Sequence, residues 1–405
     1  METDLEVARQ SGANPAQPGR GRPERDPSPA PGDLGTRLRA LVVGPRLPSA
    51  ALAARAGLFV VFVVFGLTVG VVFSWVTGHP PSIVVPDLIN GSIGSASSLT
   101  YTMQAATPLL LAAVGTVVAM RAGQFNIGQE GQVTLGVIGA AFVVLNVHGS
   151  AGLVIPLAFV SAFAFGGAWA GLTAVLKFTR KVNIIVSSLL SIFVAEQLME
   201  WMIGDTGPLH DASSGVLGAA TAAQSAPIPS STHLPTFGIG GLEVPSGFLI
   251  AIGVAIVVAW LMRSTLLGYR IRILGESRTV ARTIGINEAR LGSLSVFISG
   301  GLAGAAGAAI LLGQSFQMHP YLSGNVGFTA LLIAGAAQSR VGGAVAIAIV
   351  FGGLTAAGGI LGSDSVPSDI VNVINASVVV ALMCPTVALL AIREYRIRRA
   401  ARAIA

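Results

Sequence analysis

The chain has 405 residues, of which 53% are hydrophobic and 10% charged, with a formal net charge of +6 and a mean hydropathy of +0.75. A soluble domain carries roughly 25% charged residues, so this composition excludes an ordinary water-soluble fold and indicates an integral membrane protein. The cations fall in short clusters between apolar runs, a pattern that sets membrane topology and does not suit nucleic-acid binding.

Residues 1–55 are rich in Pro, Gly, Ala and Arg without apolar periodicity, and read as a disordered cytoplasmic tail; no signal peptide is expected. Residues 56–392 read as one transmembrane domain. Its first spans are Gly57–Val76, Leu99–Ala119 with Pro108 as a kink, Ile127–Val147, Leu153–Leu176 and Asn183–Ile203. The later ones are Gly247–Met262, Leu291–Leu312, Asn325–Ala337, Val341–Leu361 and Asp369–Ile392, followed by a basic cytoplasmic tail over 393–405. The fold class is therefore all-α and polytopic, with about ten transmembrane helices and both termini cytoplasmic. Thr77–Ser98, His148–Gly152, Gly204–Ser246 and Gln314–Gly324 become outer loops, and none of them contains Lys or Arg. Arg121, Lys177, Arg180, Lys181, the Arg263–Arg290 segment and Arg340 mark the inner side.

Several residues have plain structural readings. The small residues of Ser299–Gly307 recur at spacings of about three and four, which suits close helix contact. Glu196 and Glu200 share a face near the outer end of their span, where nearness to the interface explains them; a cavity-lining role ranks second. The lone Cys384 precedes Pro385 in an apolar run and reads as a small buried residue. Lys177 and Lys181 are the only lysines and neither follows a glycine, so the chain carries no phosphate-binding P-loop.

Two segments depart from hydrocarbon-like sequence. Phe125-Asn-Ile-Gly-Gln-Glu-Gly-Gln132 lies between two apolar runs and sets Asn126, Glu130 and three nearby glycines (Gly123, Gly128, Gly131) where polar groups are costly unless they face protein or a wet cavity. Helix capping explains it: Asn126 as cap of a helix starting at Ile127, Gln129 reaching back, Glu130 in the first turn. A broken helix whose polar end meets a solute explains it as well. The residues alone leave both open. The second segment, Gly268–Ile286, reads as an amphipathic inner stretch. Ser277 caps a short helix that Gly285 ends in a left-handed turn, with Val280, Ala281 and Ile284 on one side and Arg278 and Arg282 on another. It suits either an interfacial helix under anionic lipid or a helix that docks on a partner.

Phe-Asn-Ile-Gly-x-Glu-Gly-Gln at 125–132, preceded by Thr107-Pro-Leu-Leu-Leu and Met120-Arg-Ala-Gly, resembles the signature of nucleoside-type permeases. These are membrane subunits of ATP-binding-cassette importers in the branched-chain amino acid/ribose/nucleoside group. The Gly268–Gly285 segment, Tyr321–Phe328 and Phe351-Gly-Gly extend the resemblance over roughly residues 57–392. It departs from the group's pattern at Ser277 and Val280, which weakens the detailed carry-over there, and in the stretch Val182–Leu190, which puts the identity of the solute in doubt. The resemblance implies a substrate path at Phe125, Asn126, Gly128, Glu130 and Gln132. It implies ATPase coupling through Glu276, Arg278, Ala281, Arg282, Gly285 and Ile286. It further implies a multi-pass protein of the cell (cytoplasmic or inner) membrane that is not an enzyme and has no catalytic residue, metal or cofactor, ATP being bound by a separate ABC ATP-binding subunit. The other partners implied are a second related permease, an extracytoplasmic solute-binding lipoprotein and a small polar solute, a nucleoside, with a simple sugar or another small polar solute as the nearest alternative. A rival from another class is a proton-coupled carrier in which Glu130 titrates; a purely structural membrane scaffold fits the polar interruption poorly.

Overall fold

The computed structural model describes residues 49–210, 223–363, 373–378 and 380–381. The tail expected over 1–55 falls almost wholly outside these, as do residues 211–222, Cys384 and the basic tail 393–405; of the span expected at Asp369–Ile392, residues 373–378 and 380–381 are described and are helical. In chain order the first helices are α1 (Ser49–Val76), α2 (Pro81–Ile93), α3 (Ala96–Arg121), α4 (Gln129–Asn146), α5 (Ala151–Arg180) and α6 (Ile184–Ile203). A hairpin follows, β1 (Thr236–Ile239) and β2 (Leu242–Pro245), then α7 (Ser246–Ser264), α8 (Leu266–Glu276) and α9 (Arg278–Thr283). The last are α10 (Glu288–Ile310), which runs on into a π-turn at Leu311–Ser315, α11 (Val326–Ala336) and α12 (Val341–Ser363).

The structure is mostly helical, and among the described residues six helices are long and apolar enough to cross a membrane: α3, α5, α6, α7, α10 with its π-turn, and α12. Two expected outer loops need correction. Thr77–Ser98 contains α2, which Pro81 can open because a missing N–H costs nothing in a first turn. Gly204–Ser246 contains the hairpin, whose two-residue turn places Gly240 and Gly241 at φ +58° and +85°, as a tight primed turn demands. Among the described residues the regular structure is thus helical apart from this hairpin and an isolated β-bridge between His210 and Ser225.

Burial sorts the helices into two groups. Along α3 from Ala106 to Ala119, and along α10 from Ser299 to Ile310, every residue is buried. Helices covered on all sides belong at the centre of a bundle. By contrast, α5, α6 and α7 expose large apolar residues such as Val160, Phe193 and Trp260, as helices facing lipid do. The centre is held by backbone proximity. A Cβ on Gly304 would overlap the Ala162 carbonyl oxygen of α5, and one on Gly136 of α4 would overlap Gly304 itself. Small-residue contact of this kind drives helix association where lipid removes the hydrophobic incentive. Gly304→Leu is therefore expected to prevent α4, α5 and α10 from closing, with loss of the monodisperse peak in size-exclusion chromatography of the purified chain.

Candidate functional site

The chain turns back on itself after α3. Ala122 ends that helix, and Gly123, at φ +67°, redirects the backbone so that Gln124 donates its N–H to the Ala119 carbonyl. Residues 122–128 then climb alongside α3 before α4 begins. The hydrogen-bond partners of Gln129 measure the climb. Its side chain reaches the Ala112 carbonyl and the Thr116 hydroxyl, nine and five residues before Arg121. At a 1.5 Å rise this sets Gln129 about 8–14 Å along α3 from its Arg121 end.

Helix capping at the motif takes a different form from the one the sequence suggests. α4 starts at Gln129, with Gly128 as its N-cap and no side-chain cap. Asn126 instead faces Gln132 in a reciprocal amide pair: Asn126 Nδ2 donates to Gln132 Oε1 at 2.8 Å, and Gln132 Nε2 donates to Asn126 Oδ1 at 2.9 Å. Asn126 Nδ2 and Gln129 Nε2 also lie 3.3 and 3.1 Å from the Ser299 hydroxyl of α10, while Thr116 donates to Gln129 Oε1 at 2.6 Å. All five residues are buried. A buried amide without partners is costly, and here each amide is satisfied by another. The network ties α3, the re-entrant segment, α4 and α10 into one unit. Gly128 lets that segment approach α6, since a Cβ there would press on the Ser188 carbonyl.

Glu130 is 3% exposed and caps a helix other than its own. Its Oε1 accepts the Asn325 N–H at 2.9 Å, and its Oε2 accepts the Gly327 N–H at 2.7 Å. Asn325 sits in the left-handed region at φ 64° and its side chain caps nothing, so the opening of α11 relies on this carboxylate. A Cβ on Gly327 would collide with the Glu130 backbone nitrogen. Two helix N-termini therefore meet at one point, each carrying partial positive charge, and a single carboxylate lies between them. The α11 helix then runs to the Arg121 end of the bundle, where Arg121 Nε donates to the Ser339 carbonyl at 2.7 Å.

The opening of α11 borders a cavity of about 500 Å³. α3 contributes Pro108 and Leu109 to its wall, α12 contributes Phe351 and Thr355, and Asn375 lies on another side. Its polar lining is Gln314, Ser323, Asn325, Thr329, Thr355 and Asn375, with no charged side chain among them. The Asn375 Oδ1 atom is buried without a hydrogen-bond partner. None of the five path residues expected from the sequence lines this cavity. Asn126 and Gln132 are joined to each other, Glu130 supports the cavity's edge from behind, Gly128 packs on α6, and Phe125 is 54% exposed. Sequence reasoning missed Gln129, Thr116 and Ser299 as members of the network, and Asn325 and Thr329 as cavity residues. The one signal for the latter was the short, Gly-broken run at Asn325–Gly327. Glu196 and Glu200 border a small crevice beside Thr134 and Tyr321. Among the described residues no group of three His, Cys, Asp or Glu could hold a metal ion.

At the Arg121 end, Ser277 accepts the Val280 N–H and caps α9, and Gly285 ends the turn at φ +78°. Ala281 is buried, whereas Val280 and Ile284 are 51% and 55% exposed, so these three do not share one environment. Arg282 and Arg278 both pair with Glu288, at 2.8 and 3.4 Å, which ties α9 to the start of α10. Both arginines are largely exposed, so the pairs orient more than they stabilise. Beside them Ile284, Gly285, Ile286 and Arg290 line an open groove of about 380 Å³. A Cβ on Gly275, at the end of α8, would overlap the Arg121 carbonyl, so the α8–α9 junction rests on the start of the re-entrant segment. Gly285 has open space where a Cβ would stand, so Gly285→Val introduces backbone strain of about 1–2 kcal/mol and no clash. The expected result is a chain that still reaches the membrane but shows faster proteolysis near residue 285.

A family model described as the branched-chain amino acid transport system permease component matches residues 98–385. The chain is 29% identical over 304 residues to the glucose ABC transporter permease protein TsgB13 of Haloferax volcanii, covering 72% of this chain and 77% of that one. It is 25% identical over 323 residues to the guanosine ABC transporter permease protein NupP of Bacillus subtilis, covering 78% and 90% respectively. With the nucleoside ABC transporter permease protein NupB of Lactococcus lactis it shares 26% identity over 324 residues, 78% of this chain and 87% of the relative. No solved structure matches the chain. Such permeases work in general with an ATP-binding subunit and a binding protein. The re-entrant motif, the six spans and the length of the match lead to one conclusion: the chain is a multi-pass membrane protein, an ABC transporter permease and not an enzyme, and it belongs to the branched-chain amino acid transport system permease family.

Proposed function

We propose that this permease imports nucleosides through the cavity at the opening of α11. The observation that carries the reading is that cavity: about 500 Å³, lined among the described residues by apolar side chains and six uncharged hydrogen-bonding ones, with no charged side chain. Its volume falls within the roughly 300–1,000 Å³ of small-molecule sites. A neutral, hydrogen-bonding solute suits it; a carboxylate or phosphate solute would find no counter-charge among the described residues that line it. The naming of two relatives for guanosine and nucleosides supports the choice, and the relatives named for glucose and fructose make a sugar the second reading.

In this reading about ten helices cross the cytoplasmic membrane with both termini inside, residues 1–55 and 393–405 being tails on the transmembrane domain 56–392. A second, related permease completes the path, and a solute-binding lipoprotein delivers from outside. ATP is bound by the separate ATP-binding subunit. That subunit docks on α9 and its flanks, where Glu276, Arg278, Ala281, Arg282, Gly285 and Ile286 form or support the contact surface. Movement of α9 reaches the path through Gly275, which rests on Arg121 at the foot of the re-entrant segment. Phe125, Asn126, Gly128, Glu130 and Gln132 then act by holding that segment and the opening of α11, as discontinuous helices do in transporters.

The test is uptake of labelled guanosine and of labelled glucose into vesicles holding the permease with its partners, with ATP and the proton gradient set independently. ATP-dependent guanosine uptake, at least tenfold reduced by Thr329→Val or Asn325→Leu, is the expected result. Glucose uptake alone would move the solute to the sugar reading. Uptake that follows the proton gradient and ignores ATP would defeat the importer reading.

A further inference from the structure

Four arginines converge on a second cavity, of about 410 Å³, at the Arg121 end of the bundle. They come from four different elements: Arg121 from the end of α3, Arg263 from α7, Arg272 from α8, and Arg340 from just before α12. The first turn of α12 also borders the cavity, and the leading N–H groups of a helix have no intrahelical acceptors. Among the described residues no carboxylate lines this cavity. Glu276 is the acid near enough to Arg121 to offset part of the charge, and among the described residues it forms no ion pair with any of the four.

Topology alone accounts for arginines at helix ends, but it places them separately in water. Here they border one open cavity. Arg121 is fixed by its hydrogen bond to the Ser339 carbonyl, so its guanidinium cannot swing away freely. The buried Arg272 Nε has no hydrogen-bond partner. A buried N–H left unsatisfied costs about 1–3 kcal/mol, so this guanidinium retains unused donor capacity beside the cavity that Arg272 lines. Helix N-terminal N–H groups and planar guanidinium donors are the combination that binds phosphate oxygens.

We infer that this cavity is a binding site for a phosphate group, held by Arg263, Arg272 and Arg340 together with the first turn of α12. The group is carried by an anionic phospholipid headgroup or is free in solution; basic pockets between transmembrane helices take headgroups of this kind. The site is separate from the uncharged cavity of the proposed solute path, and no step of transport is needed to detect it.

The experiment is thermal unfolding of the full-length chain purified in a neutral detergent, titrated at fixed ionic strength with phosphatidylglycerol, phosphatidylcholine or inorganic phosphate. Phosphatidylglycerol is expected to raise the unfolding midpoint, and native mass spectrometry should show it retained. Arg263→Gln and Arg272→Gln should each raise the half-effective concentration at least tenfold. Should Arg272→Gln not fold, Arg263→Gln carries the test, because its side chain is exposed. If inorganic phosphate gives the same protection with the same sensitivity to substitution, the site takes free phosphate. Protection that both variants retain, or that phosphatidylcholine gives equally, overturns the site, as does the absence of protection by any of the three.

Discussion

Glu130→Gln is expected to cut solute uptake at least tenfold and to lower the thermal stability of the permease, although the side chain does not touch the cavity. The carboxylate accepts two backbone N–H groups, one on each oxygen. Glutamine keeps one acceptor and turns the other into a donor that faces an N–H. One charge-assisted hydrogen bond is lost, worth about 1.5–3 kcal/mol, and the charge that offsets two helix N-termini goes with it. The opening of α11 then loosens, and with it the Asn325 and Thr329 side chains that line the cavity. The effect on uptake should therefore appear as weaker solute affinity before it appears as a lower maximal rate. Glu130→Asp is the companion, since it keeps the charge but retracts it by one methylene. It should fall between wild type and Glu130→Gln on both measures. A carrier in which Glu130 moves protons gives another pattern: Glu130→Gln would retain stability and exchange while losing only gradient-driven accumulation. That pattern, seen in vesicles with ATP and the gradient set independently, would show that Glu130 does not act by holding the opening of α11.

Six of the expected spans were legible in the sequence because each is a long apolar run, and helices long and apolar enough to cross a membrane stand there among the described residues. The sequence misplaced structure wherever the signal was short. α2 was hidden by Pro81 and Pro86, which usually break helices, and the hairpin was hidden in a loop rich in Gly and Pro. The motif at 125–132 was recognisable as a site, but its internal wiring was not. Asn126 and Glu130 carry the residue types of a local cap, and local capping needs only neighbours in sequence. What overrides it is a partner 195 residues away in one case, the Asn325 N–H, and a glutamine one turn into the next helix in the other. A partner 195 residues away leaves no trace in local pattern, and the six-residue spacing of Asn126 and Gln132 is not a capping spacing. The same holds for the cavity residues of α11, whose polarity is ordinary until α3 and α12 close around them.

Asn126→Leu and Gln132→Leu are each expected to destabilise the permease strongly, and the double substitution to cost clearly less than their sum. Either single change leaves a buried amide facing a hydrocarbon side chain, with both hydrogen bonds of the pair gone. An orphaned buried polar group costs about 1–3 kcal/mol, and here a donor and an acceptor are orphaned together. The double change removes both amides, so what remains is the lost bonding to Ser299 and any misfit in volume. A coupling of about 1 kcal/mol or more between the two sites is the expected reading of the cycle, as for residues sharing one network. Uptake separates the two roles that the pair could have. If Asn126 and Gln132 act by holding the re-entrant segment, uptake should recover in the double variant in step with its stability. If instead their amides meet the solute during transport, the double variant should be well folded and still inactive. Unfolding midpoints and guanosine uptake measured on the same four proteins decide it. A double variant as unstable as the sum of the singles would mean that Ser299 and Gln129, and not the reciprocal pair, carry the network.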